Sequence, residues 1–202
     1  MWGLVQDNEI IKYITYPKSM VIGDVQYPSK IFQLWSTSEL EAIGIYEVVF
    51  NDTNKKDEQW YINTNQSFAF SDDVITASYG TATAKAHADT LFTAQDETDG
   101  LGTEGELATR GLKYNLIQTV KQQAAGILAN TDWYITRNAE KSTAIPSAIT
   151  THRDLVRSRQ ATMETQITNA SNTPALETLY TYTTDSDGVQ SRPLTELPTL
   201  EI

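Results

Sequence analysis

The side chains that most often perform catalysis or bind metals are few in this chain and lie far apart in its sequence. There is no cysteine, which excludes thiol nucleophiles, disulfides and thiolate metal ligands. The two histidines are His87 and His152. His152 falls on the apolar face of a predicted helix, where a packed or interfacial histidine is the ordinary expectation, and His87 lies in an Ala-rich polar stretch. We expect neither histidine to act as a catalytic base or a metal ligand.

Hydrolytic chemistry has little support from the residue pattern. A serine nucleophile in a Gly-x-Ser-x-Gly turn is missing. Paired carboxylates, which glycosidases require, are represented by Asp72 with Asp73 and by Glu104 with Glu106. Both pairs fall in predicted turns or in a predicted linker, where solvated charges are usual. We predict no catalytic residues and keep a carboxylate-dependent glycan-degrading enzyme as a minor alternative.

The acidic, Gly-rich segment 96–106 is the best candidate for a metal site. Hard cations such as Ca²⁺ bind clustered carboxylates on loops of this composition, but the spacing of the acids does not match an EF-hand. Gly100, Gly102 and Gly105 do not form a phosphate loop after a strand, and the neighbouring acidic residues would repel a phosphate. We therefore predict a solvated linker, with no metal and no cofactor.

Composition limits the partners that this protein can have. Of its 202 residues, 40% are hydrophobic and 20% are charged, which is enough for at least one core. A net charge of −11 disfavours binding to nucleic acid and to anionic membranes. No stretch approaches the roughly 20 apolar residues of a membrane span, and the first residues lack the basic and apolar regions of a signal peptide. We expect synthesis in a cytoplasm, no export by the general pathway and no membrane insertion.

Residues 1–84 predict a small β-rich domain. Two short β-prone runs surround Asp7-Asn8, and a second pair surrounds Gly23-Asp24, so that both predict hairpins. The run from Ser36 to Gly44 has the capping residue, early acidic side chains and terminal glycine of a short helix. A strand over 45–50 follows it.

The remainder of the chain predicts helices joined to the first domain by a linker. Residues 85–110 are acidic and Gly-rich and predict that linker. Apolar residues at helical spacing over 111–182 predict a helical hairpin domain, and 183–202 predict an extended C-terminal arm. The fold class is therefore α+β. Each unit is small, so we expect partners or further copies of the chain to supply additional burial.

Aromatic residues, two arginines and the C-terminal leucines are the candidate contact residues. Tryptophan and tyrosine are preferred anchors of protein interfaces. Arg153 and Arg157 lie on the polar side of a predicted helix, from which we expect them to reach Asp132 or Glu140. The predicted interface residues are Trp2, Trp35, Trp133, Arg153, Arg157, Leu194, Leu197 and Leu200.

Two stretches together resemble tail-fibre and tail-fibre-assembly proteins of tailed bacteriophages. The first is similar to an N-terminal module of that group, and it combines Tyr27-Pro28, Ile31-Phe32, Leu34-Trp35-Ser36 and the run from Glu39 to Ile45. The second is similar to a C-terminal helical hairpin of the group, and it comprises Leu128, Thr131-Asp132-Trp133-Tyr134, Arg137, Glu140, Ile145-Pro146 and Arg153 to Arg157. The resemblance covers about two-thirds of the chain and leaves out the linker and the last 20 residues.

The physical chemistry of the residues in the second stretch favours a structural role. Thr131 and Asp132 offer oxygens that cap the exposed N–H groups of a helix. We expect Trp133 to pack into the seam of the hairpin beneath them. Arg137 and Glu140, three residues apart, are placed to pair on one helix face.

The resemblance implies a setting in the phage tail and leaves more than one role open. The leading expectation is a structural protein of the virion, present in several copies at the baseplate or as a fibre-attaching adaptor, which is made in the host cytoplasm. Its implied partners are other tail or fibre proteins. The alternative that the same resemblance implies is an assembly chaperone for the tail fibre.

Melting in the presence of calcium tests the interpretation of segment 96–106. Because we predict a solvated linker, millimolar Ca²⁺ should leave the melting temperature unchanged relative to the same concentration of Mg²⁺. A ligand that binds only the folded state at about 100 times its Kd would add roughly 2.7 kcal/mol. A calcium-specific rise in melting temperature would therefore contradict the prediction.

Overall fold

The α+β class predicted from the sequence is confirmed by the structure, a computed structural model that describes residues 1–200. The chain divides into two compact units after Thr83. The first, called the N-terminal unit, contains these elements, the last of which crosses the division: β1 (Trp2–Gln6), β2 (Glu9–Ile14), β3 (Met20–Ile22), β4 (Val25–Tyr27), α1 (Ile31–Leu34), α2 (Thr37–Glu41), β5 (Ile45–Asn51), β6 (Tyr61–Ile62), β7 (Ser67–Ser71), β8 (Val74–Ser78) and β9 (Thr83–Ala84).

The second, called the helical unit, contains four consecutive helices preceded and followed by short strands. None of the helices in residues 1–200 has the length and apolar character required to cross a membrane. The elements are β10 (Thr90–Leu91), α3 (Ala94–Thr98), β11 (Leu107–Thr109), α4 (Leu112–Ala129), α5 (Asp132–Lys141), α6 (Ser147–Asn169), α7 (Thr173–Tyr180), β12 (Thr183–Thr184) and β13 (Gln190–Ser191).

Local turn and capping signals place the elements of the N-terminal unit where the sequence predicts them. Asp7 and Asn8 both have positive φ in the β1–β2 turn, a conformation that these short polar residues tolerate and that suits a tight hairpin. The β3–β4 hairpin turns at Gly23, which also has positive φ. Ser36 forms a full capping box with Glu39 at the start of α2. Both hairpins and this helix are confirmed.

A five-stranded sheet in the order β2-β1-β5-β8-β7 separates two apolar clusters. All pairs are antiparallel except β5 with β8. Leu4 and Ile45 point to one face, where α1, α2 and the β3–β4 hairpin contribute to a cluster here called the outer cluster. Val5 and Val48 point to the other face, where the sheet curls like half a barrel around a cluster here called the inner cluster. Tyr13 on β2 contacts Phe68 on β7 with 4.8 Å between ring centroids, so the two edge strands approach each other.

Gly3 allows this curled face to close. Its position on β1 directs any side chain at Ile75 on β8, whose Cδ1 atom lies where a Cβ atom of residue 3 would be. Ile75 is fully buried in the inner cluster. Glycine therefore serves close approach across the sheet here rather than a special backbone conformation, since a larger residue would force the Ile75 side chain to shift.

The helical unit is built around the packing of α4 against α6. Val120 and Ala124 of α4 are buried, as is the α6 face that the sequence predicts to be apolar, from Ile149 to Ile167. Arg153 corrects that prediction, because the structure buries it instead of leaving it on the polar side of the helix.

The segment expected as a linker, 85–110, contains β10, α3 and β11 and is hydrogen-bonded into the helical unit. Asp89 accepts a hydrogen bond from the backbone N–H of Gly111 at the start of α4, at 2.8 Å, and it also pairs with Arg110. These bonds hold the pKa of the Asp89 carboxyl below its ordinary value. The hydroxyl of Thr173 donates to the carbonyl of Lys85 at 2.6 Å, so the beginning of the segment is tied to α7.

The segment expected as an extended arm, from 183 onward, begins with the β12–β13 hairpin and then lies along the helices. Leu194 is 1% exposed, and its backbone N–H donates to the carbonyl of Leu179. The Gln166 side chain of α6 bonds the backbone on both sides of Leu194, accepting from Thr195 N–H and donating to the carbonyl of Pro193, each at 2.9 Å. The arm is thus fixed to its own unit as far as residue 195.

A double-mutant cycle tests the role of Gly3. Gly3→Ala places a Cβ against Ile75 Cδ1 and should destabilise the N-terminal unit by about 1–3 kcal/mol through overpacking. Ile75→Val removes that atom, so in its presence Gly3→Ala should cost much less than in the wild type. A Trp133→Phe background leaves Trp2, Trp35 and Trp60, all in this unit, as the fluorescence probes of urea unfolding. Simple additivity of the two changes would refute the close-approach explanation.

Candidate functional site

A buried arginine organises the corner of the helical unit where α4 ends and α5 begins. The side chain of Arg153, 9% exposed, extends from α6 into this corner. Its Nη1 donates to the carbonyl of Leu128 at 2.8 Å and to the hydroxyl of Thr131 at 2.7 Å, and it lies 2.8 Å from a carboxylate oxygen of Asp132. The contact with Asp132 confirms one of the two ion pairs expected for the arginines.

These contacts fix the position of the first turn of α5 relative to α6. The carbonyl of Leu128 belongs to the last turn of α4, where backbone acceptors lack a partner within the helix. Thr131 stands at the N-cap position but makes no side-chain cap, since its hydroxyl donates to the carbonyl of Leu128. The expected capping role of Thr131 is therefore wrong, and the residue instead serves as a buried partner of Arg153.

With this turn fixed, α5 presents an aromatic and cationic cluster to solvent. Trp133 is 51% exposed, so the expectation that it packs into the hairpin seam is wrong. Its ring lies 3.8 Å from the ring of Tyr134, measured between centroids. The guanidinium of Arg137 lies over both rings, 4.6 Å and 5.4 Å from their centroids. No ion pair joins Arg137 to Glu140 within residues 1–200, because the guanidinium stacks on the aromatic rings instead.

An apolar groove lies beside this cluster and is here called the tail groove. It has a volume of about 480 Å³ between the end of α4, the start of α5, α6 and the C-terminal residues. A second space of about 390 Å³ lies on the other side of the same C-terminal residues, against the beginning of α6. Residues of the tail groove are Ile127, Asn130, Thr131, Trp133, Tyr134, His152 and Leu197 to Leu200.

His152 is a buried polar residue that lines the tail groove. The residue is 7% exposed, and its Nε2 atom is buried without a hydrogen-bond partner among the described residues. It borders the spaces on both sides of Pro198 to Leu200. A buried imidazole nitrogen without a partner is unfavourable, and this atom is closed to solvent, so it offers no open hydrogen-bonding position to the groove.

The structure brings together only part of the predicted interface. Trp133, Leu197 and Leu200 meet at the tail groove. Trp2 and Trp35 pack against the outer cluster of the N-terminal unit, and Leu194 is buried within the helical unit. Arg153 is buried as well, which makes it a support for the site and leaves its predicted surface role wrong. Arg157 is on the surface and pairs with Asp154 at 3.2 Å, not with Asp132 or Glu140.

Tyr134, Arg137 and His152 are the site residues that the predicted interface set omits. Trp133 and Arg137, four residues apart on one helix, are neighbours on its surface, so the spacing contained a signal for the cluster. His152 had no such signal, because its position on an apolar helix face is equally consistent with a fully satisfied core histidine.

The acidic residues examined as chemical candidates have structural partners or lie in exposed turns. Asp96 completes a capping box at the start of α3: the backbone N–H of Thr93 donates to its carboxylate at 2.8 Å, which lowers the pKa of that carboxyl. Asp72 and Asp73 form the exposed β7–β8 turn, both with positive φ. Within residues 1–200, no three histidine or acidic side chains are grouped closely enough to hold a metal ion.

Comparison of the chain with protein family models, with curated protein sequences and with solved structures gives no match.

Matched substitutions of two arginines on α6 test the organising corner. Arg153→Met should destabilise the helical unit by about 2–4 kcal/mol, since it removes a cation that several buried or partly buried oxygens share. Arg157→Met, four residues away on the same helix, removes only an exposed ion pair and should cost less than about 0.5 kcal/mol. Urea unfolding followed by Trp133 fluorescence, in a variant whose other tryptophans are phenylalanine, measures both. Equal effects would show that the corner contributes nothing special.

Proposed function

We propose that this protein is a structural component of a bacteriophage tail that acts through protein–protein contacts, either at the baseplate or as an adaptor to which fibres attach. The observation that carries the proposal is the exposed Trp133–Tyr134–Arg137 cluster at the rim of the apolar tail groove. Tryptophan, tyrosine and arginine are the residue types enriched at the energetic centres of interfaces.

The cluster has the physical properties of a preorganised binding surface. Stacking of Arg137 on two rings restricts all three side chains before any partner arrives, which lowers the entropy lost on binding. The corner around Arg153 restricts the backbone beneath them in the same way. Exposed aromatic side chains grouped beside an apolar groove, rather than scattered singly, are a feature of interaction surfaces.

The amount of surface that the chain leaves exposed also favours an assembled state. Exposed apolar side chains occur in both units, for example Leu34 at 76% and Leu101 at 65%. Contacts with neighbouring proteins, including further copies of the chain, would bury part of this area.

The phage-tail setting of the proposal comes from the sequence resemblance. The Trp133 cluster lies within the second of the two resembling stretches, so the same residues support the setting and the mode of action. In this proposal the protein is made in the host cytoplasm, is incorporated into the virion tail in several copies and has other tail or fibre proteins as its partners.

An inventory of the virion tests the proposal. Quantitative mass spectrometry of purified particles of the encoding phage should find the chain at a fixed number of copies per particle. Its absence from mature particles, combined with unfolded fibres when it is omitted from co-expression, would overturn the proposal in favour of the assembly chaperone.

Substitutions test whether the Trp133 cluster mediates incorporation of the chain into the particle. Trp133→Ala should reduce the copies per particle by at least about tenfold, which corresponds to the roughly 1.4 kcal/mol or more expected at an interface centre. Val189→Ala is the matched control, because Val189 is an exposed apolar residue of the same unit that lies outside the groove. Normal incorporation of the Trp133 variant would exclude this cluster as the contact.

A further inference from the structure

Arg137 shares its stacked position on aromatic rings with two other arginines of the helical unit. The guanidinium of Arg110 lies over the ring of Tyr114, 4.2 Å from its centroid. The guanidinium of Arg192 lies over the ring of Tyr182, 5.0 Å from its centroid. Each of these contacts uses the face of the guanidinium and leaves its edge, which carries the N–H donors, for a second partner.

In both of these other cases the second partner is a carboxylate of the same chain. Arg110 pairs with Asp89 through Nη1. Arg192 pairs with Glu196, with 3.3 Å between Nε and a carboxylate oxygen. The stacked arginines of this protein thus show a common arrangement, in which rings hold the face of the guanidinium and a carboxylate meets its edge.

Arg137 has the stacked face without the carboxylate. Its guanidinium lies over the rings of Trp133 and Tyr134, but within residues 1–200 no ion pair joins it to an acidic side chain. Its Nε atom is buried without a hydrogen-bond partner in that part of the chain. The N–H groups of Nη1 and Nη2 are therefore the donors that remain for a partner.

The acidic side chains near Arg137 in the sequence do not supply the missing carboxylate. Asp132 already pairs with Arg153 at 2.8 Å. Glu140 is exposed and makes no ion pair with Arg137 in the described structure. The chain has 26 acidic and 15 basic residues, so a shortage of acids does not explain the open edge of this guanidinium.

We propose that Arg137 binds an Asp or Glu carboxylate of a partner protein, which completes the arrangement that Arg110 and Arg192 complete within the chain. The inference rests on the proposed function, since it names the chemical group that the Trp133 surface recognises. Two parallel hydrogen bonds from Nη1 and Nη2 match the two oxygens of a carboxylate. Stacking on the rings holds the plane of the guanidinium before the partner arrives, which lowers the entropy lost on binding.

Charge favours a partner that is not a second copy of this chain. Each copy has a net charge of −11, so two copies repel each other before any contact forms. The rings of Trp133 and Tyr134 beside the guanidinium favour an apolar neighbour for the bound carboxylate. The partner surface is therefore an Asp or Glu beside an apolar side chain, on a protein with less negative charge.

Benzoate and its neutral isostere benzamide are the probes for the full-length chain. The indole N–H signal of Trp133 in an NMR spectrum, assigned by Trp133→Phe, reports binding at constant ionic strength. Wild type should bind benzoate about fivefold more tightly than benzamide, because hydrogen bonds to a charged acceptor are stronger than neutral ones. Arg137→Met keeps an unbranched apolar stem without the cation and should abolish the preference.

Arg159→Met is the matched control, and it should keep the preference for benzoate. Arg159 is exposed, and within residues 1–200 it has neither an ion pair nor an aromatic ring beneath it. Arg137→Lys keeps the charge without the planar fork and should lower the preference. Equal binding of benzoate and benzamide to wild type would overturn the proposal, and this comparison holds even if a variant unfolds. A preference that survives Arg137→Met would overturn it too.

Reversal of the charge connects Arg137 to the partner in the particle. Arg137→Glu should reduce the copies per particle at least about tenfold, because it places one carboxylate against another. Arg159→Glu makes the same change of charge on α6 and should leave the number of copies unchanged. Suppressors of Arg137→Glu should replace an Asp or Glu of another tail protein with Lys or Arg. Suppressors that replace an acidic residue of this chain would identify a second copy and overturn the proposal of a different partner.

The outcomes separate this inference from the proposed function. Normal incorporation of Arg137→Glu, together with loss of Trp133→Ala from particles, would overturn the carboxylate proposal and leave the tail function intact. Absence of the chain from particles would overturn the tail function, and the comparison of benzoate with benzamide would still decide whether Arg137 binds a carboxylate.

Discussion

The helical unit and its candidate site depend on the contacts that the guanidinium of Arg153 makes with the oxygen atoms around it. A cation buried in a protein is strongly unfavourable unless oxygens surround it, and here the oxygens come from the end of α4, the turn after it and the start of α5. One side chain from α6 therefore connects three consecutive parts of the chain. Since α5 has no buried residue of its own, its direction depends on this corner more than on apolar packing.

The consequence of that constraint is an exposed aromatic surface. A helix held at its first turn by a buried arginine can leave its remaining faces in solvent, as α5 does with Trp133 and Tyr134. The N-terminal unit is packed in a different manner: it has one curled sheet with an apolar cluster on each face. Trp2 and Trp35 of this unit pack against one of these clusters, and they are therefore less exposed to solvent than Trp133. The exposed aromatic cluster and the tail groove thus lie together in the helical unit.

Features of the sequence that act over a few residues predicted the corresponding structure correctly. Asp7-Asn8 and Gly23 formed their hairpin turns, and Ser36 with Glu39 formed its capping box. The apolar period of α6 identified its buried face from Ile149 to Ile167. The segment 85–110 was harder, because its strands have two or three residues and its bonds to α4 and α7 join positions far apart in sequence, of which Thr173 to Lys85 is an example. Composition alone gave it the appearance of a linker.

The candidate site shows the same difference between features that neighbouring residues decide and features that the tertiary fold decides. The sequence by itself determined that the chain has an α+β fold, that it lacks cysteine chemistry, and that Trp133, Leu197 and Leu200 are candidates for contact. Only the tertiary structure decided that Arg153 is buried, that Trp133 faces solvent and that the two leucines lie in a groove beside it. Turns, caps and helical periods depend on neighbours within a few positions. Whether a charged or aromatic side chain is buried depends on which oxygens and apolar groups the fold brings to it, and for Arg153 those groups lie more than 20 residues earlier in the chain.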